Sequence, residues 1–157
     1  QFAQVFPHAG LSWERLPWLR EHWDGPIVIK GIQSVADAKA AADAGMDGIV
    51  VSNHGGRQVD GAIAALDALG PIAEAVGDEL TVLFDSGIRT GSDVVKALAL
   101  GAKAVLIGRP FAYGLALGGQ AGVEHVLRCL LAEFDLTMAL SGLSMDDLEP
   151  GILATAG

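Results

Sequence analysis

A parallel α/β fold is what this sequence predicts, on three observations. Four short apolar runs rich in β-branched residues recur at 27–29, 48–51, 81–84 and 104–107. They lack polar alternation, the pattern of strands buried on both faces. Between them lie segments with apolar residues at helical spacing, and each strand runs into a polar, mostly glycine-bearing turn rather than a two-residue hairpin. Parallel neighbours can be joined only by long crossovers, so the alternation reads as four βα units.

The elements follow in order. Residues 1–10 hold Pro7 and Gly10 and read as a loop without a signal-peptide or transit-peptide pattern. A helix is expected over 13–23, where Trp13, Trp18 and Trp23 recur at a spacing that does not keep one helix face and so suggests packing at an interface. Ser34 is an N-cap candidate for a helix over 34–44, with Ala40, Ala41 and Ala44 as a small-residue face and Gly45 as its stop. Over 63–76, Ile63, Leu66, Leu69 and Ile72 keep helical spacing, and Pro71 is a potential break. The helix over 92–100 turns Val94, Val95, Leu98 and Ala99 inward and ends at Gly101. A short helix over 111–117 then meets Gly118 and Gly119, followed by a long amphipathic helix over 121–140. In it Val123, Val126, Leu127, Leu130, Leu131 and Phe134 form the apolar stripe and Glu124, Arg128 and Glu133 are left for water. A short helix after Ser144 closes the series.

Composition limits the function. The 157 residues are 51% hydrophobic and 18% charged, with 21 Gly, which excludes disorder and fits one or two compact domains. A net charge of -9 argues against a nucleic-acid partner, which needs a basic face. Charges interrupt every apolar run before the ~18 residues a membrane span needs, so no membrane partner is expected. Cys129 is the single cysteine; it rules out an internal disulfide, fits a reducing, cytoplasmic setting, and reads as a packed small hydrophobe. No His, Cys, Asp or Glu spacing resembles a zinc or calcium site, so no metal is expected.

Functional groups in parallel α/β folds gather where strands end. Here the ends read Lys30-Gly31, Ser52-Asn53-His54-Gly55-Gly56-Arg57-Gln58, Asp85-Ser86-Gly87-Ile88-Arg89 and Gly108-Arg109-Pro110. Gly87 and Gly108 admit a close backbone approach, Arg89 and Arg109 bring charge, and the helix starts that follow offer free N–H groups, together describing a phosphate cup. That position matches the barrel phosphate site after strands seven and eight if these are the last four strands of eight; a complete doubly wound domain is the other architecture of this size. Lys30 ends a buried strand and should face an anion or an electron-rich group. His54 and Arg57 pair a proton acceptor with a planar carboxylate anchor, against the plainer possibility of a structural turn histidine. His8, His22 and His125 read as structural or solvent-exposed.

These four motifs, with Lys96-Ala97-Leu98-Ala99-Leu100-Gly101-Ala102 between the last two, resemble in order the FMN-dependent L-2-hydroxy acid oxidase and dehydrogenase family, from Pro26 to about Leu148. Gly31-Ile32-Gln33, Phe84-Asp85-Ser86 and the run from Gly114 to Gly119 are similar to lactate oxidase and lactate 2-monooxygenase. The resemblance implies an α/β fold that is the C-terminal half of a (β/α)8 TIM barrel, four parallel βα units plus C-terminal helices, over residues 1–157, with residues 1–12 a loop remnant. It implies FMN as cofactor, with Lys30 near flavin N1 and O2, Ser52 at the isoalloxazine, and Asp85 at the ribityl chain. Ser86, Gly87, Ile88 and Arg89 would lead to the phosphate, completed by Gly108 and Arg109. His54 would be the catalytic base and Arg57 would hold the substrate carboxylate. The implied reaction oxidises a small L-2-hydroxy acid, L-lactate first, to the 2-oxo acid or its decarboxylated product, with molecular oxygen as acceptor. A partner is also implied, an N-terminal half-barrel chain or self-association, and the complete protein would be a homo-oligomer. The isolated chain is then expected to be inactive; the alternative is a structural half-barrel that binds FMN or phosphate and self-associates.

Overall fold

The computed structural model describes residues 12–154. The expected loop at 1–10, and His8 within it, lie outside the described residues. A 3₁₀ turn at Trp13–Arg15 leads into α1 (Leu16–His22), then β1 (Val28–Ile32), α2 (Val35–Asp43), β2 (Gly48–Val51), α3 (Ala65–Val76), β3 (Thr81–Phe84), α4 (Gly91–Ala99), β4 (Ala104–Val105) and α5 (Arg109–Ser141). All four strands are parallel and lie in the order β1-β2-β3-β4. A doubly wound sheet reverses its strand order at a switch point; this one does not. Right-handed crossovers in sequential order place successive helices on one face, the arrangement of a barrel wall. Accordingly α2 packs on α3 and α4 on α5.

The core lies between the sheet and those helices. Ile49, Val51, Val82 and Phe84 are fully buried there with Ala38 and Ala41 of α2 and Leu69 and Ile72 of α3. The expectation of strands buried on both faces needs correction at the sheet edges. Val28 of β1 is 44% exposed and Leu106, just past β4, is 39% exposed. An apolar run reports that a strand wants burial, not which surface supplies it.

Other differences have local causes. Strand β4 is two residues long rather than four, pairing only through Leu83↔Ala104 and Phe84↔Val105. Pro71 does not break α3, which runs on because Leu69 and Ile72 on either side of it are anchored in the core. The anticipated break between the last two helices falls at Gly119, where φ 57° and ψ -140° fold residues 109–118 back along 120–141. Gly114 and Gly122 make that approach possible, since a Cβ on Gly122 would collide with the Gly114 carbonyl oxygen. After Ser144 the chain forms only 3₁₀ turns, Met145–Asp147 and Pro150–Ile152. Cys129 is exposed rather than packed, its Sγ 3.6 Å from His125 Nε2. Trp18 stacks on His22 beside an apolar cleft of about 830 Å³ lined by Trp13, Leu16, Leu19 and Ile29. No helix of the described residues is long and apolar enough to cross a membrane.

Candidate functional site

The C-terminal ends of the four strands surround an open cleft of about 1040 Å³. Lys30, His54, Arg57, Asp85, Ser86, Gly87, Ile88, Arg89, Gly108 and Arg109 all line it. Ser52 is the one predicted site residue that does not; it is fully buried directly beneath. Residues up to 79 positions apart are thus brought together by one topological rule, that parallel strands in sequence deliver their ends to the same rim.

Lys30 meets the anion the sequence called for, and it is Asp85, at 2.6 Å. Lys30 Nζ also donates to Ser52 Oγ at 3.0 Å. Burial pushes the Asp85 carboxyl up, but hydrogen bonds from Lys30, Ser52 and Ser86 and the Lys30 charge outweigh it and hold the group below the usual carboxylate range. The Asp85 carboxyl is therefore held ionised at neutral pH against Lys30 at the rim.

The turn after β2 is left-handed through three successive residues, His54 at φ 54°, Gly55 at 65° and Gly56 at 74°. Glycine accepts this conformation freely; for His54 it costs of the order of 1–3 kcal/mol and persists only where surrounding bonds over-determine it. Those bonds are present. The His54 amide donates to Ser52 Oγ at 3.1 Å, and the Gly55 amide donates to Asn53 Oδ1 at 3.0 Å, an Asx turn. Arg109 donates to the Gly55 carbonyl at 2.6 Å. The imidazole itself lies over Gly31, where a Cβ would stand 2.7 Å from His54 Cε1. Gly31 has φ 103° and marks the irregularity in the β1–β2 pairing. Gly31 and Asn53 thus shape the His54 turn, a part the residue-type search did not assign to them. Glycine at a strand end, and Asn one step before a glycine turn, are the signals that would have found them.

The two halves of the expected phosphate cup are not equivalent. The start of α4 is closed: Asp93 accepts from the Arg89 and Thr90 amides at 3.1 and 3.0 Å, and the Gly91 amide donates to Glu133 at 2.9 Å. Glu133 is exposed, as expected, and also caps α4 from α5. The start of α5 has no side-chain cap, and Gly108, Pro110 and Phe111 open on the cleft. Arg109 spends one N–H on Gly55 and retains the rest of its five donors. The side chains of Arg57 and Arg89 make no hydrogen bond or ion pair among the described residues. Ile88 lines the cleft while belonging to the core, 4% exposed. An uncapped helix start, two unpaired guanidiniums and a part-exposed ammonium suit a phosphate-bearing cofactor and a carboxylate together.

A half-barrel wall with an anion-receptive rim defines a unit of a cofactor-binding α/β barrel. Comparison makes this specific: the pattern of the FMN-dependent dehydrogenase family matches residues 1–155, and the chain belongs to that family. It is 64% identical over 139 residues to an FMN-dependent alpha-hydroxy acid dehydrogenase of Schizosaccharomyces pombe, covering 88% of this chain and 34% of the relative. It is 54% identical over 145 residues to an L-lactate dehydrogenase of Caulobacter sp. strain K31, covering 92% of this chain and 38% of the relative. Solved structures of mandelate oxidase superpose with a TM-score of 0.81 at 52% identity, over 85% of this chain and 40% of theirs. The chain therefore spans between a third and two-fifths of the length of these relatives. Their names divide between dehydrogenase and oxidase, and between lactate and mandelate.

Proposed function

We propose that this chain is the C-terminal half of an FMN-binding (β/α)8 barrel whose complete form oxidises a small L-2-hydroxy acid to the 2-oxo acid. The observation that carries this is the cleft itself: an imidazole, a free guanidinium three residues on, and an anion-receptive wall opposite them. Lys30, Ser52, Asp85, Arg89, Gly108 and Arg109, with the backbone at Ser86, Gly87 and Ile88, are the groups that would hold FMN. When bound, FMN supplies the two-electron acceptor. Arg57 grips the substrate carboxylate, which fixes C2 relative to His54. Oxidation at C2 releases two protons with two electrons, and the His54 imidazole takes up one of those protons.

L-lactate is the first substrate to try, supported by the L-lactate dehydrogenases among the relatives. Molecular oxygen as the acceptor rests on the likeness to mandelate oxidase. The partner is a half-barrel supplying the other four strands, in support of which β1 and β4 are edge strands with exposed Val28 and Leu106 beside them. Exposed Leu117 and Leu140 on α5 support a homo-oligomer of the complete protein, and the lone thiol of Cys129 supports a cytoplasmic setting. The test is anaerobic mixing of the complete FMN-loaded protein with L-lactate, glycolate and L-mandelate. Loss of the yellow flavin absorbance with at least one is expected. Unchanged absorbance with all of them contradicts the proposal.

A further inference from the structure

Ser86 holds φ 79°, in the left-handed region where glycine is favoured, yet it carries a side chain. That hydroxyl is fully committed inside the protein. It donates to Asp85 Oδ1 at 2.8 Å and accepts from the Asn53 and Gly55 amides at 3.2 and 3.1 Å. A hydroxyl has one hydrogen and two lone pairs, so these bonds exhaust it; Ser52 Oγ stands at a longer 3.4 Å. The two amides it receives belong to the residues immediately before and after His54. Without Ser86 the Asn53 amide would lose its side-chain partner, and Gly55 would keep only its Asx bond.

We propose that Ser86 is a positioning residue for His54: its hydroxyl clamps both flanks of the strained turn that carries the base and ties that turn to the Asp85–Lys30 pair. This rests on the functional reading above and assigns the side chain to the turn rather than to the cofactor. The geometry gives the clamp a consequence. The same oxygen reaches Asp85 on β3's end and the β2 turn, so the imidazole's position over Gly31 is referenced to the wall that binds the anion.

Two variants of the complete FMN-loaded protein separate this from a conformational effect of residue 86. Ser86→Gly removes the hydroxyl and relaxes the backbone; Ser86→Ala removes the hydroxyl and keeps the strain. In both, amide hydrogen exchange at Asn53 and Gly55 should quicken about tenfold while the amides of β2 and β3 keep their protection. In both, kcat for the 2-hydroxy acid should fall about tenfold with KM changed less than about threefold, because Arg57 still holds the carboxylate. Unchanged exchange at Asn53 and Gly55 overturns the clamp, as does protection lost across the whole sheet. Wild-type behaviour of Ser86→Gly with loss only in Ser86→Ala assigns the effect to strain and overturns it too, and so does a kcat that stays put while exchange quickens. A wild type that oxidises no 2-hydroxy acid fails the functional reading instead, and the exchange measurement still decides the clamp.

Discussion

The two ends of the sheet use the same residue types, a cation and an aspartate, and put them to opposite uses. Ahead of the strands, Arg20 donates to the Gly45 and Gly25 carbonyls at 2.9 and 3.0 Å and pairs with Asp47. Asp47 also accepts from the Ile27 amide at 2.7 Å. The Ile27 amide, and then Arg20, hold the Asp47 carboxyl below its ordinary range. Every strong group there is spent joining the approaches to β1 and β2, so that end is a latch. Beyond the strands, Lys30 and Asp85 also pair, but Arg57 and Arg89 remain free of side-chain partners among the described residues and face a cleft. A cation satisfied by its own chain stabilises; one left unsatisfied at a rim waits for a ligand.

Breaking this contrast should give graded effects, all in the complete FMN-loaded protein. The largest after loss of the base is expected for Arg57→Lys. A point charge cannot reproduce a bidentate grip, so KM for the hydroxy acid should rise about tenfold or more with Tm unchanged. Asp85→Asn should be next. It leaves Lys30 without its charge partner at a part-exposed site, which costs on the order of 1 kcal/mol after solvent screening, and it weakens FMN binding. Its pH signature is specific. The folded-state value for Asp85 is depressed, so its contribution is complete above about pH 4, the unfolded value, and fades as pH falls through the folded one. Denaturation midpoints measured from pH 6 downward should show this loss in wild type and lack that part of the slope in Asp85→Asn. Arg20→Ala should do the smallest damage to function: Tm falls by a few degrees, while kcat and KM stay as they were. A change in KM there would erase the distinction between latch and rim.

The rim was the most readable part of the chain because strand ends are encoded locally. Lys30, His54, Asp85 and Arg109 each stand within three residues of the end of an apolar run, and parallel order does the rest. What the residues could not announce depends on partners far along the chain. Glu133 is the water-facing helix position its spacing indicates, but its capping bond to the Gly91 amide, 42 residues away, has no local signal. The same holds for Ser86, whose amide partners lie on the β2 turn, and for the left-handed backbone at His54, which is tolerated only because those bonds exist. Apolar runs correctly placed β2 and β3, stopped short of the end of β1, which continues through Lys30 and Gly31 to Ile32, and overstated β4, since β-branched residues signal burial without specifying ladder length. Pro71 shows the converse, a breaker overruled by buried neighbours.

The rate of flavin bleaching by L-lactate, compared between wild type and His54→Ala at equal FMN occupancy, tests the central claim most directly. Removing the base should slow bleaching by about 10²–10⁴-fold without changing FMN affinity or Tm. Bleaching at the wild-type rate in His54→Ala would contradict the account.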